Sequence, residues 1–200
     1  EPGELMNLLN SSTSLRDRTL LTLLEDTGAR AGEIASLHKQ DIGIDTIRVK
    51  GKCGEREIPI SDETRRLLLT LIANDGKNEH VFMGQRGPLT RSGIFRIVRI
   101  HMRKASIQGP KLGPNRIRHG FCKGYLVNGG DLRSLQRLMG HANITTTQKY
   151  SSLNLNDIIA KHHKFTPLRA AHTAAQGNFF DKTQALKEAE AILKEASHGS

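Results

Sequence analysis

Residues 41–60 read Asp41-Ile42-Gly43-Ile44-Asp45-Thr46-Ile47-Arg48-Val49-Lys50-Gly51-Lys52-Cys53-Gly54-Glu55-Arg56-Glu57-Ile58-Pro59-Ile60. Ile42, Ile44, Ile47 and Val49, then Ile58 and Ile60, alternate around a Lys-Gly-Lys-Cys-Gly turn, which is the period-2 pattern of paired strands. The stretch predicts a small antiparallel sheet, with Pro59 marking an edge strand. On both sides of it the apolar spacing returns to three and four. The fold class is therefore mainly α with a small antiparallel β-sheet, α+β.

Upstream, Leu5, Leu8 and Leu9 belong to one helix, and Leu15, Leu20, Leu21, Leu23 and Leu24 to a second that Gly28 ends; Ala31 to Leu37 is a short helical piece. Downstream, Ser61-Asp62-Glu63-Thr64 caps a helix with the stripe Leu67, Leu68, Leu71, Ile72, ending near Asn74-Asp75-Gly76. Another helix runs from about Thr90 to Ala105, and the Gly- and Pro-rich 106–114 is a loop. Helices follow at 115–128, 131–139 and 143–150, with continued helix to about His163. Thr166-Pro167 reads as a break, and 170–178, rich in small residues, reads as loosely structured. Leu186, Ala189, Ile192, Leu193 and Ala196 then form the apolar stripe of an amphipathic helix, which needs a partner surface on its own domain or on a neighbouring subunit.

The 200 residues hold 30 Lys+Arg against 20 Asp+Glu, a formal charge of +10, which points to a polyanionic partner. The absence of Trp, with aromatics at 4%, removes the stacking platforms expected of a single-strand binder, so double-stranded DNA fits better. No apolar run is long enough to span a membrane, so no membrane partner is expected. The 2 cysteines, Cys53 and Cys122, are far apart and outline neither a disulfide framework nor a zinc ribbon, which suits a reducing cytoplasm. A metal site built on His162-His163 with Cys53 or His141 fails on spacing.

Cleaving a phosphodiester without metal requires a nucleophile, cationic donors on the non-bridging oxygens and an acid for the leaving oxygen. Four segments supply such groups and together resemble the tyrosine recombinase, or phage integrase, family. In Thr27-Gly28-Ala29-Arg30-Ala31-Gly32-Glu33-Ile34, Arg30 looks like the first catalytic arginine and Glu33 like its support. In Val49 to Ile60, Lys52 best resembles the mobile catalytic lysine of a β-hairpin, with Lys50 as the weaker match. In Gly113-Pro114-Asn115-Arg116-Ile117-Arg118-His119-Gly120-Phe121, Arg118 resembles the second catalytic arginine and His119 follows as usual. Asn115 stands where the family normally has a His, and its amide can donate a hydrogen bond but cannot shuttle a proton. In Leu138-Met139-Gly140-His141-Ala142-Asn143-Ile144-Thr145-Thr146-Thr147-Gln148-Lys149-Tyr150, His141 resembles the phosphate-binding position and Tyr150 the nucleophile.

The resemblance implies a tyrosine recombinase catalytic-domain fold over 1–167, followed by a C-terminal extension, 168–200, whose helix could dock in trans; the family's N-terminal core-binding domain is expected to be absent. It implies site-specific cleavage and rejoining of DNA through a 3′-phosphotyrosyl link, with no cofactor or metal. Self-association on DNA, dimer to tetramer, and a nucleoid-associated place in the cytoplasm follow from it. Lys50, Arg91, Arg96 and Arg116 are expected along the DNA, together with other basic residues of the helices at 91–104 and 116–137. Two other readings use the same residues: a catalytically weak or inactive DNA-binding relative, motivated by Asn115, and a nick-and-reseal topoisomerase-like enzyme.

Overall fold

The computed structural model describes residues 2–51, 54–74, 76, 78–140 and 155–175. Its elements are α1 (Pro2–Asn10), α2 (Leu15–Thr27), α3 (Ala31–Ala35), β1 (Thr46–Gly51), β2 (Gly54–Pro59), α4 (Asp62–Ala73), β3 (Met83–Gly84), β4 (Gly87–Pro88), α5 (Arg91–Lys104), α6 (Pro114–Val127), α7 (Leu132–Met139), α8 (Leu155–Phe165) and α9 (Pro167–Ala175). Among the described residues this is a helical fold carrying two antiparallel two-stranded sheets.

α2 is the central element, because every residue from Thr19 to Thr27 is buried. Leu20, Leu21, Leu23 and Leu24 are each 0% exposed, and the polar residues between and after them are buried as well, so this part of the helix is enclosed on every side. α1, α4, α6 and α9 enclose it. Its polar residues need internal partners, and Asp26 finds four. One carboxylate oxygen accepts from the Ser61 amide at 2.7 Å and the Thr64 hydroxyl at 2.7 Å, the other from Thr166 Oγ1 at 3.0 Å, and the Asp26 carbonyl accepts from His162 Nε2 at 2.7 Å. This clasp ties α2 to the starts of α4 and α9 and to α8. Ser61, Thr90 and Asp131 accept amide hydrogens at the starts of α4, α5 and α7, as their residue types favour.

The hairpin pairs Ile47 with Ile58 and Val49 with Arg56, closing at Gly51 opposite Gly54. Ile47, Val49, Ile58 and Ile60 form its buried face. Ile44, expected in the alternation, precedes β1 and is 71% exposed. The second hairpin, β3 with β4, was not expected: two residues per strand are too few to show alternation.

Several helix details differ from expectation. In α4 the fully enclosed stripe is Thr64, Leu68 and Leu71, while Leu67 and Ile72 are only half-buried. α3 stops at Ala35. The break at Thr166-Pro167 separates two helices instead of ending helical structure: Pro167 is the first residue of α9, where its missing N–H costs nothing. Residues 170–175, expected to be loose, continue this helix, and Leu168 and Ala171 are buried where α9 packs against α1 and α2. The expected helices at 143–150 and 186–196 lie outside the described residues. Among those described, no helix is long and apolar enough to cross a membrane.

Candidate active site

The site begins at the end of α2. Gly28 adopts φ 60°, ψ 18° and its amide donates to the Leu24 carbonyl, closing the helix. A Cβ here would lie 2.6 Å from Phe121 Cδ1, so glycine is required by both conformation and space. The chain turns sharply and presents Arg30 as the residue preceding α3. Glu33, in the first turn of α3, reaches back to accept the Arg30 amide at 2.8 Å and Arg30 Nη1 at 3.2 Å.

Arg118 arrives from α6. Its Nη1 donates to the Gly28 carbonyl at 2.7 Å and its Nη2 to the Met139 carbonyl at 2.9 Å. Arg30 Nη1 lies 3.4 Å from the same Met139 oxygen. The last carbonyls of α7 have no partner within the helix and sit at the negative end of its dipole, so they suit guanidinium groups. Two arginines 88 positions apart in the chain thus converge on one peptide oxygen.

A third arginine completes the cluster. Arg56 of β2 grips Glu33 with both ends of its fork, Nη1 to Oε1 at 2.6 Å and Nη2 to Oε2 at 3.0 Å, and its Nε donates to the Leu138 carbonyl at 3.2 Å. The sequence motifs alone give Arg56 no role. The signal was present: Arg56 is in phase with Ile58 and Ile60, and an arginine on the buried face of a strand needs an anion inside. Gly51 and Gly140 make room for this pairing. A Cβ at Gly51 would approach Glu33 Oε1 to 2.8 Å, and one at Gly140 would approach Arg56 to 2.9 Å.

The electrostatics follow from these contacts. Burial alone would raise the Glu33 pKa, but the hydrogen bonds and charges of Arg56 and Arg30 outweigh it and hold the carboxyl below its usual value. Burial, and then the positive charge of Arg30, lowers the pKa of Arg118, although a guanidinium stays charged at any physiological pH. The Arg30 side chain is 45% exposed, so a surplus of positive charge faces outward.

The remaining expected residues divide. Asn115 and His119 are exposed on α6, three residues before Arg118 and one after it. Arg116, two residues from Arg118, faces elsewhere: Nη1 donates to the Gln108 carbonyl at 2.6 Å and Nη2 lies 3.8 Å from Glu4. Lys50, near the hairpin tip, pairs with Glu55 at 3.1 Å. Arg91 and Arg96 lie on the exposed face of α5 with Arg99 and Arg103, and the Arg91 guanidinium sits 5.8 Å from the Phe95 ring centre. His162 and His163 face the Asp26 and Ile60 carbonyls at 2.7 and 2.9 Å. Lys52, His141 and Tyr150 lie outside the described residues; His141 directly follows Gly140 in the chain.

The chain belongs to the phage integrase family, the tyrosine recombinases, whose model matches residues 1–156. It is 34% identical over 170 residues to tyrosine recombinase XerD of Staphylococcus epidermidis, covering 80% of this chain and 57% of that protein. XerD of Staphylococcus aureus is similar to the same degree. The chain thus spans a little over half the length of these relatives. Among solved structures, XerA recombinase superposes with a TM-score of 0.64 at 29% identity, covering 88% of this chain and 64% of that one. The integrase of mycobacterium phage Brujita has the same fold, with a TM-score of 0.70 at 22% identity over 86% and 61% of the two chains.

Proposed function

We propose that this domain cleaves and rejoins one strand of duplex DNA at a specific site, with Tyr150 as nucleophile and a 3′-phosphotyrosyl link as intermediate. The observation that carries the reading is the convergence of Arg30 and Arg118 on the Met139 carbonyl. Two permanently charged planar forks side by side match the non-bridging oxygens of a phosphodiester and the charge that develops on them during attack. The tyrosyl oxygen attacks phosphorus as its proton passes to water, the 5′ oxygen leaves with a proton from Lys52, and the 5′ hydroxyl of a second strand then attacks the same phosphorus and releases the tyrosine. His141 donates to the phosphate, Glu33 orients Arg30, and Asn115 and His119 contribute hydrogen bonds from α6. No cofactor or metal takes part.

DNA is held by the basic surface that includes Lys50, Arg91 and Arg96. Copies associate on it, dimer to tetramer, with the 186–196 helix docking on a neighbour; such a protein works in the cytoplasm, on the nucleoid. The experiment is a nicked suicide duplex carrying the attachment site, comparing the natural protein with Tyr150→Phe on a denaturing gel. A covalent band lost in the variant supports the reading; no band from natural protein bound to the duplex overturns it.

A further inference from the structure

Glu33 is shared by two arginines and divides itself unequally. Arg56 takes both carboxylate oxygens, at 2.6 and 3.0 Å, whereas Arg30 has one longer side-chain bond at 3.2 Å and its backbone amide. Glu33 is 3% exposed, so its charge must be neutralised from within the protein. The side chain of Arg56 is 17% exposed and that of Arg30 45%. The more enclosed arginine therefore serves as the counter-ion and the more open one faces outward. Arg56 is fixed for this task at its other end too, through Nε to the Leu138 carbonyl.

We infer that Arg56 is a positioning residue: by occupying the Glu33 carboxylate with its full fork, it keeps that carboxylate from capturing Arg30, which stays turned toward an incoming phosphate. The inference rests on reading Arg30 as a phosphate-binding group. With Arg56 removed, the Glu33 carboxylate has Arg30 as its nearest remaining cation. A bidentate Arg30–Glu33 pair would form, and one fork of the clamp would be neutralised and drawn inward. Arg56 also links β2 to the end of α7, so the hairpin, α3 and α7 share this one side chain.

A capture mechanism makes a prediction that a merely structural role does not. Arg56→Gln should lower inorganic phosphate affinity by about tenfold and covalent adduct formation on the nicked duplex by about a hundredfold. Neutralising the captor should abolish that penalty: added to Glu33→Gln, which itself lacks the charge that orients Arg30, Arg56→Gln should cost no more than about a further twofold in either readout, since no carboxylate remains to seize Arg30. Phosphate binding is read from the Arg30 Nε–H resonance of ¹⁵N-arginine-labelled protein, independently of cleavage. An Arg56→Gln penalty as large on the Glu33→Gln background as on the natural one overturns the inference, as does an Arg56→Gln variant that binds phosphate normally. Arg56→Lys, which keeps the charge but cannot cover both oxygens, should fall between and carries the test if Arg56→Gln does not fold. If natural protein binds phosphate with this pattern yet forms no adduct, the inference stands and the proposed reaction falls.

Discussion

Replacing Asp26 by alanine tests the clasp around α2 most directly. The substitution strands the Ser61 amide and the hydroxyls of Thr64 and Thr166, which donate to the carboxylate at 2.7, 2.7 and 3.0 Å in a region where Asp26 and Thr64 are 0% exposed. A stranded buried donor costs about 1–3 kcal/mol, and the two hydroxyls can partly reorient, so the total loss should be about 3–5 kcal/mol. For a chain of this size that corresponds to a fall in melting temperature of about 6–20 °C. Asp26→Asn keeps one acceptor for Ser61 and Thr64 and turns its amide toward the Thr166 hydroxyl, which can accept, so it should cost only about 1–2 kcal/mol. Equilibrium urea unfolding of the natural protein and both variants gives the comparison. An alanine variant within about 1 kcal/mol of the natural protein, or an asparagine variant as damaged as the alanine one, would refute the assignment of these donors to the carboxylate.

Burial pushes Glu25 up to about 8, from an ordinary value of 4.5, so its contribution to stability is fully present below about 4.5 and is lost as pH rises toward 8. Glu25→Gln should flatten this slope in urea unfolding between pH 5 and 9; an unchanged slope contradicts it. Gly28→Ala combines a positive φ of 60° with a Cβ 2.6 Å from Phe121, and should lower stability by about 1–3 kcal/mol in thermal unfolding. Arg118→Lys cannot reach the Gly28 and Met139 carbonyls with a rigid fork; adduct formation should fall by about a hundredfold while gel-shift affinity for duplex DNA changes only a few-fold.

The parts of the fold legible in the sequence are those where one local rule dominates. The leucines of α2, the caps at Ser61, Thr90 and Asp131, and the alternation of Ile47, Val49, Ile58 and Ile60 each state their own structure. α9 escaped because Pro167 can end a helix or begin one, and only its packing on α1 and α2 decides which. Ile44 fitted the alternation but precedes the ladder. Within the site, Arg30, Glu33 and Arg118 were legible from resemblance, and the structure brings them together. Arg56 was not, because its role depends on a carboxylate 23 positions away that becomes its neighbour only when the hairpin packs against α3 through β1. Arg116 shows the converse: a basic residue beside Arg118 on the chain points away from it, because positions two apart on a helix face different directions.

Both arginines of the pair reach the Met139 peptide oxygen, Arg118 at 2.9 Å and Arg30 at 3.4 Å, and Arg118 also holds the Gly28 carbonyl. Side-chain scanning at position 139 would therefore leave the anchor untouched and register only the loss of a buried apolar group. The chemical handle on this anchor is the backbone itself. Replacing the amide that follows Met139 by an ester makes its carbonyl a poorer acceptor and removes the Gly140 N–H that donates to the Arg137 carbonyl, so it would loosen both forks and the end of α7 while every side chain is kept.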